Sequence, residues 1–328
     1  MGTGIQDDLK ARMKSAHENG TCFVPQSDSE AHRLRRALLR KDVISPAPQV
    51  YALPDLWHQL DPLQRERFRT KALARLHPTW TFADVSAAAL HGLSISYGLL
   101  GRVHLACERN RRARNTKDYI RHTMSGIETA IIDGVRVTTL ERTVFDCTRR
   151  YAFPDALAIA DSALRLSGAH HETFMSFFSA QHARNSNRWR AIETMALADA
   201  RAESGGESIA RAAMIRHGYM IPQLQKTVPN PLDCRAEYRI DFFWNLESGC
   251  VAGEMDGREK YYNPKMTSGR NAVTVMADER VRESLVSSYG YRMVRFSYRD
   301  IRNPQAFCRL MDLFDIPKGY SVPRVALA

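Results

Sequence analysis

The chain has 328 residues, 44% of them hydrophobic and 25% charged, and its 47 Lys and Arg against 36 Asp and Glu leave a net charge of +11. That is the make-up of an ordinary globular protein, with no apolar run of the roughly 18 residues that a membrane-spanning helix needs and no apolar signal stretch in MGTGIQDDLKARMKSAHENG. The expectation is a cytoplasmic protein whose basic excess favours polyanions, since each phosphate neutralised releases counterions. The six cysteines are scattered without a C-x-x-C pair, which argues against a disulfide framework or a cysteine-built zinc site.

In chain order, residues 1–28 read as a mobile arm, with a short helix over Asp7 to His17. SEAHRLRRALLRK, from Ser29 to Lys41, follows as an amphipathic helix carrying apolar Leu34, Ala37 and Leu38. Its cationic face includes Arg33, Arg36, Arg40 and Lys41. DVISPAPQVYAL then supplies two β-prone pieces around a turn. Helix followed by a two-stranded wing is the order at the end of a winged helix, whose helix enters the DNA major groove. The plainer alternative is a solvated helix face and an ordinary hairpin.

Residues 55 to 92 look helical, a run of strands and turns follows, and a largely helical middle reaches a basic connection, HARNSNRWR. The expected domains are therefore 29–168, a helical connection over 169–200, and 201–328. The last begins with ESGGESIARAAMIRHG, where Ser204 suits an N-cap, Glu207 stands at capping-box spacing and Gly218 suits the left-handed C-terminal position. Strands near PQLQKTV, RIDFFWNL, GCVAGEMDG and YRMVRFS are joined by a helix over Ala272 to Tyr289 and closed by NPQAFCRLMDLF. The order α-β-β-β-α-β-α predicts a mixed central sheet flanked by helices, in a chain that is α/β, or α+β overall.

RIDFFWNLESGCVAGEMDG folds as a hairpin with constant pairing sum: Trp244 faces Val251, Phe242 faces Gly253 and Asp241 faces Glu254. Alternation sends Ile240, Phe242 and Trp244 to one side, and Arg239, Asp241 and Phe243 to the other. Directly opposed residues lie about 5 Å apart, where like charges destabilise. A cation is therefore expected: either a metal ion or a side chain such as Arg239 or Arg258. Asp256 extends the acidic face, and three carboxylates at one end of neighbouring strands suit Mg²⁺ or Mn²⁺. Such an ion generates hydroxide and stabilises charge developing on a phosphate. Lys260, just past the strand, could support that phosphate or stand solvated. Asp256 could instead be a turn residue before Gly257, and Gln225 reads as structural.

The order helix, Asp241, Glu254-Met255-Asp256-Gly257, helix resembles the PD-(D/E)xK nuclease superfamily, most closely its very-short-patch-repair-like branch. RESLVSSYGYRMVRFS looks like that branch's arginine-rich helix, Gly-Tyr turn and terminal strand, and the resemblance spans about residues 200 to 300. It implies a restriction-endonuclease-like fold with Asp241 and Glu254 as metal ligands and catalytic groups. Glu207, in a segment similar to one preceding related nuclease cores, would be a further ligand or only a capping residue. The chain has Asp256 where an E-x-K signature has lysine, which hands the cationic role to Lys260, Arg280 or Arg282. The two arginines stand either on DNA or on a solvated helix face.

LRRALLRKDVISPAPQVYA, FADVSAAALHGL, GVRVTTLERTVFDCTRR and ALAIADSAL resemble the AbiEi-like antitoxins of type IV toxin–antitoxin systems. That resemblance implies a winged-helix DNA-binding domain joined to a second α/β domain, with Gln49 where the wing usually has glycine. The combined expectation is a Mg²⁺-dependent DNA endonuclease of restriction, repair or phage defence. Its partners would be DNA, with RNA less favoured, and a gene product of the same defence system. The rival is an antitoxin-like regulator with an inert nuclease fold.

Overall fold

The computed structural model describes residues 7–108, 114–181, 187–256 and 284–327. They form two compact units, Met1–Cys147 and Thr148–Ala328.

In the first unit, α1 (Asp7–Glu18) buries Leu9 and Met13. These pack with Phe23, Leu34, Ala37, Val43, Tyr51 and Leu53 in one apolar cluster. The described part of the expected arm is thus a docked helix. Two apolar residues four apart give it a narrow stripe that its charged neighbours mask in the sequence. Helix α2 (Asp28–Leu39) starts at Ser27, whose side chain accepts the Glu30 N–H. Strands β1 (Ile44–Ala47) and β2 (Val50–Ala52) pair antiparallel. Gln49 takes φ +61 in the turn between them, the left-handed conformation in which glycine is the easier residue.

Helices α3 (Pro54–His58) and α4 (Pro62–Leu76) lead to a five-stranded sheet. Its strands are β3 (Thr81–Phe82), β4 (Val103–Glu108), β5 (Tyr119–Met124), β6 (Thr129–Ile132) and β7 (Val135–Thr138), in spatial order β5-β4-β3-β7-β6. Helix α5 (Asp84–His91) follows β3 directly, and α6 (Leu140–Thr148) ends at the unit boundary.

The second unit opens with α7 (Phe153–Ser167), earlier than the boundary expected from sequence. A buried ion pair explains the difference: Asp161 of α7 accepts from Arg211 Nη2 at 2.6 and 2.8 Å, and Arg211 lies on a helix of the C-terminal core. After α8 (His171–Ala180) and α9 (Arg188–Ala196), that helix, α10 (Gly205–Arg216), begins at the predicted Ser204 cap. Gly218 has φ +69 beyond its end. Strands β8 (Gln223–Asn230), β9 (Asp233–Leu246) and β10 (Gly249–Asp256) form an antiparallel meander, and β11 (Arg292–Ser297) joins β10 in parallel. The sheet order is β11-β10-β9-β8. Helices α11 (Tyr298–Arg302), α12 (Pro304–Leu313) and α13 (Arg324–Leu327) close the chain. The expected Ala272–Tyr289 helix falls mostly outside the described residues.

The fold is mixed α/β, α+β overall. Phe242, Trp244, Val251, Met255, Val294 and Phe296 of the sheet pack with Met214 of α10 and Phe307 and Met311 of α12. Among the described residues no helix is long and apolar enough to cross a membrane.

Candidate functional site

The hairpin has the register read from sequence as far as Trp244↔Val251 and Phe242↔Gly253. Gly253 is required there, because a Cβ would stand 2.9 Å from Trp244 Cζ3 and 3.1 Å from Phe242 Cβ. Regular alternation then fails at Asp241. Ile240 packs with Phe243, Val228 and Ala252, whereas Phe242 packs with Trp244 in the main core. Ile240 is therefore not on the Phe242 side, contrary to the simple period-two expectation. The cause is on the neighbouring strand. Gln225 has φ +55, and the β8–β9 ladder passes from Leu224↔Phe242 to Lys226↔Ile240 without a pair between them. Freed from the ladder, Asp241 turns its Oδ2 to the Met255 N–H at 3.1 Å.

Glu207, in the first turn of α10, is buried. It accepts from the Glu203 N–H at 2.9 Å, the Ser204 hydroxyl at 2.8 Å and Gln225 Nε2 at 2.8 Å. Burial raises its pKa and the charge of nearby Asp241 raises it further, against those three bonds. Gln225 Oε1 is itself buried and has no hydrogen-bond partner among the described residues. Glu207, Asp241 and Gln225 thus meet where the ladder is interrupted. Gln225, read from sequence as structural, belongs with the acidic pair. Only its position opposite Asp241 could have signalled this.

Glu254 has Arg295 Nη2 3.6 Å from its Oε2. Asp256, two residues on, lines a recess of about 480 Å³ with Arg295, Ser297, Arg299, Asp300 and Arg309. Glu207, Asp241, Glu254 and Asp256 do not close into a trio of ligand atoms within 4.8 Å of one another; among the described residues one group does, Asp84, His104 and His122. Lys260, Arg280 and Arg282 lie outside the described residues.

In the first unit, Arg33 and Arg36 line a recess of about 640 Å³ along α2 with Asp28, His32 and Arg35. Arg40 Nε is bonded to Asp42 at 2.8 Å, and Lys41 takes φ +64 beyond the helix end. The Asp84–His104–His122 group was not picked out from sequence. Burial pushes the His104 imidazole down to about 4, with Glu66 pulling the other way. The three residues come from α5, β4 and β5, and no local spacing links them.

No family model matches the chain. Two uncharacterized proteins of Mycobacterium tuberculosis, MT2308 of strain CDC 1551 / Oshkosh and Rv2248 of strain ATCC 25618 / H37Rv, are each 27% identical to it over 217 residues. Those residues cover 66% of this chain and 74% of each relative. Among solved structures, the RV2827C protein from Mycobacterium tuberculosis aligns with a TM-score of 0.33 and 15% identity over 62% of this chain and 77% of that one.

Proposed function

We propose that the chain is a cytoplasmic, divalent-metal-dependent DNA endonuclease. Its C-terminal unit would hydrolyse phosphodiester bonds and its winged-helix-like N-terminal unit would bind DNA. One observation carries the reading: buried Glu207 adjoins half-buried Asp241 beside Gln225 Oε1, which has no hydrogen-bond partner among the described residues, where the β8–β9 ladder skips a pair. Two neighbouring carboxylates, one with its charged form disfavoured by burial, are what a hard divalent cation relieves.

The donor set fits Mg²⁺ or Mn²⁺, because magnesium commonly takes one or two carboxylates and fills its remaining positions with water and substrate oxygens. Glu207 and Asp241 would hold it, and Glu254, which does not close into a trio of ligand atoms with them, would join from β10 only by a side-chain shift. Such an ion supplies Lewis-acid stabilisation of the phosphate and makes water a stronger nucleophile at neutral pH. The chain's own groups do the rest. Arg299 and Arg309 bind the phosphate backbone in the recess beside Asp256, since guanidinium forks match phosphate oxygens. Lys260 would supply the cation for charge on the reacting phosphate. Gln225 fixes Glu207 through its amide N–H.

The test is nicking of supercoiled plasmid in Mg²⁺ or Mn²⁺. Wild type should cut, and Asp241→Ala and Glu254→Gln should each lose at least about a hundredfold in rate, the scale of a lost transition-state charge partner. A wild type no better than these variants across plasmid, linear and single-stranded substrates ends the nuclease reading. A second reading, an antitoxin-like transcriptional regulator working with a gene product of the same defence system, draws on Arg295, a cation already beside Glu254. Sequence-selective binding of its own promoter without cutting favours that reading. Preference for single-stranded RNA moves the substrate class.

A further inference from the structure

We infer that Asp84, His104 and His122 form a second metal site, in the first unit, that binds a first-row divalent transition ion through two imidazoles and one carboxylate. His104 Nδ1 lies 2.9 Å from His122 Nε2 and 3.3 Å from Asp84 Oδ1, and His122 Nε2 lies 3.8 Å from Asp84 Oδ2. An ion about 2.0–2.2 Å from each ligand sets neighbouring ligand atoms about 2.9–3.5 Å apart, from octahedral to tetrahedral geometry. The edges from His104 Nδ1 to His122 Nε2 and to Asp84 Oδ1 already match. The 3.8 Å from His122 runs to the other carboxylate oxygen, and one ligand atom from each residue can be chosen so that all three lie within 4.8 Å of one another. A ring proton serves one of these edges at a time, whereas a cation at the centre serves all three.

The scaffold holds the three groups rigidly. His104 and His122 stand on β4 and β5, parallel neighbours in which His122 pairs with Ala106 and His104 with Ile120. The His104 backbone N–H donates to Ser86 Oγ at 3.0 Å, and that hydroxyl donates to Glu66 Oε1 at 2.6 Å, which fixes the strand position of His104 against α5 and α4. Asp84 is almost fully buried, its φ is +53, and its Oδ1 accepts the Val85 N–H at 2.8 Å. A buried non-glycine residue held in the left-handed region is a strained conformation of the kind that clusters at ligand sites. Partners that orient a ligating group are as much a part of a metal centre as the ligands.

Nitrogen-rich donors select the ion class. Imidazole suits Zn²⁺, Fe²⁺, Ni²⁺ or Cu²⁺, whereas Mg²⁺ prefers oxygen alone. Three protein ligands leave a coordination position open, and His122, with 11% of its side chain exposed, is the most accessible of the three. The site would tie α5 to two strands of the N-terminal sheet. It is independent of the nuclease reading.

The test uses tag-free full-length protein, stripped with chelator, loaded with Zn²⁺ and gel-filtered before metal analysis. Wild type should retain close to one zinc per chain. Asp84→Asn, in which asparagine tolerates the same backbone, and His122→Gln should each bind at least about tenfold more weakly. A Glu207→Gln/Asp241→Asn variant should retain zinc as wild type does. X-ray absorption on the Co²⁺-loaded wild type, which needs no variant to fold, should show two imidazoles and no sulfur. No retained zinc in wild type, unchanged affinity in both ligand variants, loss of zinc in the Glu207/Asp241 variant, or a sulfur-containing shell would each overturn the assignment.

Discussion

Glu30 joins α1 to α2. Its carboxylate accepts from Arg12 Nη1 at 2.5 Å and from the Gln26 N–H at 2.8 Å. The Arg12 bond first, and the Gln26 bond second, hold its pKa below the usual carboxylate range, against the effect of burial. A group depressed on folding gives its full stabilisation above its unfolded pKa and loses it as pH falls through the folded value. Glu30→Gln should therefore reduce stability at neutral pH and flatten the acid limb of a thermal-unfolding profile. Because the Arg12 side chain is 32% exposed, solvent screening limits the loss to about 1 kcal/mol. A variant with the wild-type acid slope would show that another carboxylate sets it.

The Asp161–Arg211 pair does similar work between elements, fixing α7 against the helix that carries Glu207. Arg211 also donates to the Leu197 carbonyl at 2.7 Å, and Asp161 accepts the Asp199 N–H at 2.8 Å. Asp161→Ala would strand a buried guanidinium, and urea unfolding should report a loss of about 3–5 kcal/mol. A loss below about 1 kcal/mol would mean that water reaches Arg211. Sequence made α10 readable because Ser204, Glu207 and Gly218 mark its ends by local chemistry. The β1–β2 pair and the β9–β10 register as far as Phe242↔Gly253 were readable for the same reason. The interruption at Asp241 was not, because it depends on the backbone of Gln225 across the ladder. Asp84, His104 and His122 were equally hidden: the pairing of β4 with β5 and the start of α5 after β3 bring together residues that lie 20 and 18 positions apart.

At the scale of the whole molecule, the +11 charge has to be distributed before it can act on DNA. Arginines gather in two recesses, along α2 and beside Asp256, while Arg40 is held by Asp42. If phosphates occupy the α2 recess, the affinity for duplex DNA should fall linearly with log salt, with a slope of about −0.9 per phosphate neutralised. Arg33→Gln with Arg36→Gln should make that slope shallower by about 1–2, whereas Arg40→Gln should change it by less than about 0.5, since its charge is already partnered. Fluorescence anisotropy over a salt series reads all three proteins directly. Equal slopes for wild type and the double variant would remove α2 from the DNA surface and leave the C-terminal recess to account for binding. In that case Arg299→Gln with Arg309→Gln should carry the change instead.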